Sequence, residues 1–128
     1  MELTNAINWF EVPVTDFDRA KAFYETIFDY QMPENTMGKT RMGFFLYDFK
    51  SGKVGGAICS GEGYQPSATG SLIYLNCNPD LGEIIERVEK AGGKILIPKT
   101  AISPDGNLGF IAQIIDTEGN RIALHSMS

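Results

Sequence analysis

Six side chains of this sequence have the types and spacing to do chemistry: Trp9, Glu11, Tyr74, Asn76, Gln113 and His125. Glu11 stands two residues from Trp9, so in an extended chain the two share a face. A carboxylate in a partly apolar cleft can act as a general base or hold a cationic group. Its plainer role is a solvated carboxylate, or an ion pair with Arg121 or Lys39. His125 is the single histidine. It could titrate, donate to a ligand, or join Glu11 at an atypical metal site; its plainer role is a surface residue at a strand end. One histidine cannot by itself supply the three protein ligands of a catalytic zinc. Glu11 and His125 are therefore the catalytic candidates. Trp9, Glu11, Tyr74, Asn76 and Gln113 are the substrate-binding candidates. Trp9 offers a wall for a planar ligand, and Tyr74 and Asn76 share a strand face from which they could orient a small polar one. The alternative for these three is cleft filling that stabilises the sheet. Alternation does not settle the face of Gln113.

Several other chemistries are excluded. No G-x-S-x-G stretch occurs, so a hydrolase triad has no support. Gly55-Gly56 and Gly92-Gly93 lack the context of a phosphate loop and are expected to serve sheet bends or caps. The aromatics Phe44, Phe45, Tyr47 and Phe49 read as core and cleft wall. The net charge is −5 and no basic cluster exceeds a pair, which argues against nucleic acid or an anionic membrane and leaves a cationic ligand favoured. Cys59 and Cys77 sit in apolar, strand-like surroundings without C-x-x-C spacing, so buried reduced thiols are expected. Nothing reads as a signal peptide or a membrane span, and a cytoplasmic location is the expectation.

The elements that must position these residues follow from periodicity. Phe10, Val12 and Val14 alternate with Trp9, Glu11 and Pro13, a half-buried strand. Thr15 or Asp16 can cap a following helix whose apolar stripe is Phe17, Ala20, Phe23, Tyr24, Ile27 and Phe28. Strands are predicted over 41–49 and 54–60 with a hairpin turn at 50–53, then a linker at 61–67. The pattern restarts with a strand over 72–77. Asn78-Pro79-Asp80 reads as a helix start, with Pro79 at the first helical position. Leu81, Ile84, Ile85, Val88 and Ala91 form the stripe, which Gly92-Gly93 ends. Strands over 94–98, 109–115 and 121–126 follow, the last two joined by a turn over 116–120. Each half thus reads as strand, helix, then about three strands. One domain over 1–128 is expected, with a first module at about 1–61 and a second at about 70–128.

The order of Val12-x-Val14-x-Asp16, Arg19-Ala20-x-x-Phe23-Tyr24, Val54-Gly55-Gly56-Ala57, Val88-Glu89-x-Ala91-Gly92-Gly93 and Asp116-Thr117-Glu118-Gly119-Asn120-Arg121-Ile122 resembles the vicinal oxygen chelate superfamily. That superfamily includes glyoxalase I, bleomycin-resistance proteins and extradiol dioxygenases. The resemblance implies an α+β fold of two βαβββ modules whose curled mixed sheets enclose a shared cleft, often in a homodimer. It also implies a divalent metal held by His, Glu or Gln from four strands. By spacing those positions fall on Trp9, Ala57 (or Gly56), Leu72 and Ala123, none of which can ligate a metal. The expectation is a metal-independent small-molecule binding protein of the glyoxalase/bleomycin-resistance type that holds its ligand in the cleft between the modules, with no cofactor. The alternative is a lactoylglutathione-lyase-like lyase or isomerase, or an oxygenase, in which Glu11 and His125, with Gln113, hold a shifted divalent metal. A third reading is a domain for protein association with a vestigial cleft.

Overall fold

Alternation in the first strand sorts its side chains as expected. In a computed structural model that describes residues 5–128, with Phe49 described by its backbone alone, β1 spans Trp9–Pro13. Val12 and the following Val14 are buried and Phe10 packs against them, while Trp9 and Glu11 point the other way. Helix α1 (Phe17–Phe28) begins at Asp16, whose side chain accepts from the Arg19 amide at 3.1 Å. This satisfies one of the amides left unpaired at a helix start. Phe17, Ala20, Phe23, Tyr24 and Ile27 are its buried stripe.

The chain continues through β2 (Glu34–Met37), β3 (Thr40–Phe44) and β4 (Gly55–Ser60), giving a sheet of order β1-β4-β3-β2. Strand β2 is exposed throughout and carries no apolar alternation, which is why periodicity misses it. The strand expected over 41–49 ends at Phe44. Beyond it Phe45 turns into the core, and a single 3-10 turn, Phe49–Ser51, replaces the hairpin.

The second module repeats the plan: β5 (Tyr74–Asn76), α2 (Leu81–Val88), β6 (Lys94–Ala101), β7 (Phe110–Ile115) and β8 (Arg121–Ser126), in the order β5-β8-β7-β6. The first and last strands of each module run parallel, and the other pairs are antiparallel. Two α+β modules of the same strand order make the fold class the expected one. The helix start differs in detail. Asp80 caps α2 through the Gly82 amide at 2.8 Å, and Pro79 precedes the cap instead of opening the helix. Asn78 is engaged elsewhere, its side-chain oxygen accepting from the Met127 amide at 2.7 Å.

Both helices and the helix-facing sides of both sheets meet in one core. The closing turn of the second module is part of that junction, with its two ends buried and Gly119 exposed at its tip. Asp116 and Asn120 are buried. The Asp116 carboxylate accepts from Tyr24 Oη at 2.7 Å, from the backbone amides of Glu118 and Asn120 at 2.8 and 2.9 Å, and from Asn120 Nδ2 at 3.1 Å. Burial, then the neighbouring Asp116 charge, pushes the Tyr24 phenol well above its ordinary pKa and keeps it a donor. Glu118 reaches the start of α1, accepting from the amides of Thr15 and Asp16 at 2.9 and 2.6 Å and from Arg19 Nε at 2.7 Å. Burial opposes its ionisation, but Arg19 and the amides outweigh that and hold its pKa below the usual carboxylate value. At the other end of α1, Arg87 Nη1 donates to the Ile27 carbonyl at 3.0 Å.

Candidate functional site

The faces turned away from the core carry the candidate residues. On the first sheet, the register places Glu11 beside Ala57 and Ala57 beside Phe44, a row across three strands. The next row outward pairs Trp9 with Gly55, and the one on the other side holds Cys59 and Met42. Gly55 has no side chain here because a Cβ would overlap the Tyr47 ring, which lies over that backbone. Gly56, pointing to the opposite face, gives the same room to Phe10. The expectation of a bend or cap at this pair is corrected: both residues sit inside β4 without a positive φ, and each seats an aromatic ring. Gly92-Gly93 closes the turn that follows α2 and does not itself end the helix, which stops at Val88: Gly92 takes φ +105° and the Gly93 amide donates to the Val88 carbonyl at 2.9 Å.

Around the small residues stand four rings. Trp9 lies 6.1 Å from Phe44 and 6.3 Å from Tyr47, steeply tilted to both, at 59° and 70°. Phe44 and Tyr64 pack on Met42, Ala57 and Cys59. Glu11 is the polar centre. It accepts from Tyr64 Oη at 2.8 Å and from Trp9 Nε1 at 3.3 Å. Neither partner is charged, and among the described residues Glu11 forms no ion pair, so the expected alternatives Arg121 and Lys39 are not its partners. The hydrogen bond to Glu11 pushes the Tyr64 phenol up to about 12. The sequence does not bring Tyr64 or Gly55 to this face: Tyr64 lies in the linker, where no periodicity speaks, and the role of Gly55 depends on a ring eight residues earlier.

On the second sheet, Tyr74, Ala123 and Gln113 form one row and Asn76, His125 and Ile111 the next, so all four candidates there share a face. Gln113, whose face alternation left open, belongs to it. His125 Nε2 donates to the Leu108 carbonyl at 2.9 Å. Asn76 accepts from the Asn78 side chain at 2.9 Å. Tyr74 and His125 line one surface depression with Ile102 and Thr100. A cavity of about 810 Å³ opens between β1 and β5, with Tyr74 and Asn76 on one wall and Phe10, Tyr47 and Asp48 on the other. The candidates therefore divide into two sets, Trp9 with Glu11 and Tyr74 with Asn76, Gln113 and His125. Glu11 is bonded to Tyr64 and Trp9 and His125 to Leu108, and among the described residues no hydrogen bond joins the two.

The metal that the resemblance implies does not fit these residues. Trp9 and Ala57 stand on the sheet face where ligands would be needed, and Leu72 and Ala123 occupy the corresponding places of the second module. An indole whose only nitrogen is spent on Glu11 and three aliphatic side chains supply no donor set. Among the described residues no three His, Cys, Asp or Glu side chains lie close enough together to hold an ion.

Both cysteines are free and buried, as expected. Burial, followed for Cys59 by the Glu11 charge, pushes each thiol up to about 12. A disulfide-exchange reagent is expected to modify neither cysteine of the folded protein and both after denaturant is added. Rapid labelling of native Cys59 would contradict this burial.

Fold and site together define a duplicated βαβββ protein with an aromatic, carboxylate-bearing sheet face. Residues 6–124 match the family model of the glyoxalase/bleomycin resistance protein/dioxygenase superfamily, and the chain belongs to that family. It is 32% identical over 127 residues to a glyoxylase-like domain-containing protein of Didymella fabae, covering 97% of this chain and 95% of that one. Its fold is similar to that of glyoxalase I from Zea mays, crystallised as a V278E mutant, with a TM-score of 0.65 and 20% identity. That match covers 94% of this chain and 45% of the maize protein, so this chain spans about half of its length. The fosfomycin resistance protein FosX of Listeria monocytogenes is similar over 98% of this chain and 92% of its own, with a TM-score of 0.62 and 19% identity.

Proposed function

We propose that this protein binds a small molecule on the outward face of its first sheet and needs no metal for it. The observation carrying the reading is what stands where metal ligands would be. Trp9 and Ala57 are parts of a ring-walled floor centred on Glu11, with Gly55 left bare to seat Tyr47. A pocket of apolar walls with a few convergent polar groups is the usual form of a small-molecule site.

A homodimer completes this reading. Leu96, Ile97 and Ile102, on and just beyond edge strand β6, are exposed together with Tyr74. Exposed apolar side chains along a sheet edge suit burial against a second copy. The buried thiols suit a reducing, cytoplasmic setting. Among the described residues no helix is long and apolar enough to cross a membrane. The enzyme reading, with a metal shared by Glu11 and His125, gains no support from residues on separate sheets with His125 Nε2 bonded to Leu108.

Metal analysis of protein purified without chelator or affinity tag tests this directly. The expected result is far less than one ion per chain and no melting shift with Zn²⁺, Ni²⁺, Mn²⁺ or Fe²⁺. A real site at 100 Kd of free metal would add about 2.7 kcal/mol. One tightly held ion per chain would sink the metal-free reading. Trp9 fluorescence then reports binding, and small aromatic and cationic compounds are expected to quench it. Silence from every compound would turn the reading toward protein association.

A further inference from the structure

We propose that the cavity between β1 and β5 is a second binding site and that it takes a hydrophobic monocarboxylate, its apolar body against Phe10, Phe28 and Ile73 and its carboxylate met by Lys53, Asn76 and Tyr30. Neither Trp9 nor Glu11 lines this cavity, so the site goes beyond the first-sheet reading above and does not depend on it.

The space follows from the topology. β1 and β5 are edge strands of their sheets, and among the described residues no backbone hydrogen bond closes the seam between them. About 810 Å³ is left open there, within the usual range of a small-molecule site, about 300–1,000 Å³. The walls are mostly apolar. Phe10, Phe28 and Ile73 pack against the core yet are only half-buried, and all three border the cavity. Neighbouring rings hold them in place. Phe28 stacks on Tyr30 with centroids 5.5 Å apart, and Phe10 lies 5.6 Å from Phe45.

The polar groups on these walls are donors short of acceptors. The Asn76 side-chain oxygen accepts from the Asn78 backbone amide at 3.0 Å and from Asn78 Nδ2 at 2.9 Å. Those two bonds fix which end of the Asn76 amide is which, and its NH₂ group has no acceptor among the described residues. Tyr30 Oη accepts from the Leu46 amide at 3.3 Å, while its own O–H has no acceptor among the described residues. Burial raises the Tyr30 pKa and keeps that hydroxyl protonated. Lys53 is exposed at the rim and forms no ion pair among the described residues. Asp48 is the one carboxylate on the described lining, and Lys53 offsets it.

These donors select the ligand. A carboxylate is acceptor-only and can take all three, with the ammonium as its counter-charge. An ammonium ligand would set donors against donors, and an apolar ligand without acceptors would strand them away from water. The net charge of −5 opposes an anion at long range. That field is screened beyond about 8–10 Å, so the groups lining the cavity decide.

The test uses calorimetric titration and NMR of the full chain with four probes. Hydrocinnamate carries ring and charge, its primary amide the same body without charge, phenylpropylamine the opposite charge, and acetate the charge without the body. Hydrocinnamate is expected to bind at least tenfold more tightly than any of the other three, with NMR contacts from its ring to the Ile73 methyl groups. Lys53→Met is expected to weaken it at least tenfold. Asn76→Asp, which keeps the oxygen that Asn78 needs but replaces the donor, is expected to do the same at unchanged melting temperature. Lys50→Met, an exposed lysine off the cavity lining, is expected to leave binding unchanged. Equal binding of the acid and its amide would overturn the carboxylate assignment, as would wild-type affinity in both Lys53→Met and Asn76→Asp. Contacts to Trp9 in place of Ile73 would overturn the placement and put the ligand on the first-sheet face. Absence of binding by hydrocinnamate would overturn the proposal and leave the first-sheet reading to its own screen.

Discussion

Asp116→Ala is expected to lower stability by about 3–5 kcal/mol, a fall in melting temperature of about 10–20 °C in a chain of this size. The carboxylate accepts four hydrogen bonds in the buried junction of the modules. Removing it leaves Tyr24 Oη and two backbone amides without partners, and each stranded group costs about 1–3 kcal/mol. Tyr24→Phe removes the other end of one bond and leaves the carboxylate three partners, so about 1–2 kcal/mol is expected there. The double variant should lose less than the sum, because the two groups share one interaction. Thermal and denaturant melts followed by circular dichroism measure all three. A loss below 1 kcal/mol for Asp116→Ala would mean that the junction is solvated.

Gly55→Ala and Gly56→Ala should part company although they are adjacent. A Cβ at Gly56 runs into Phe10, which packs against the core and on Phe45 with centroids 5.6 Å apart. Overpacking of that kind costs about 1–3 kcal/mol. A Cβ at Gly55 runs into Tyr47, which is 38% exposed and can swing outward. Gly55→Ala is therefore expected to cost under about 1 kcal/mol, yet to shift the emission of Trp9, whose ring centroid lies 6.3 Å from that of Tyr47. The outcome against this account is an unchanged Trp9 spectrum with a stability loss matching that of Gly56→Ala.

The fold was legible where burial imposes a period. Phe10, Val12 and Val14 gave the strand, and the α1 stripe came out residue by residue because each member touches the core. Strand β2 was not legible: it is exposed on both faces, held by its ladder to β3 and by ion pairs at Glu34 with Lys21 and Arg41. The candidate site was half legible. Alternation brought Trp9 and Glu11 to one face and Tyr74 and Asn76 to another, but nothing local says that these faces lie apart. Tyr64 reaches Glu11 from a linker without periodicity, and Tyr47 reaches Trp9 from beyond Phe44, where the expected strand has already ended. The turn at 116–120 shows the same limit. Asp, Gly and Asn are ordinary turn formers, and only the tertiary structure reveals that two of them are buried acceptors and donors for the other module.

The way α1 is held has a consequence for how the protein comes into being. The amides just before it, of Thr15 and Asp16, belong to Glu118 and its last turn to Arg87, whereas α2 is capped by Asp80 and by Ser126 Oγ, which accepts from the Leu81 amide at 2.9 Å. The first half taken alone keeps its Asp16 cap but leaves Tyr24, the Ile27 carbonyl and the Thr15 and Asp16 amides without these partners, so its native packing waits on the second.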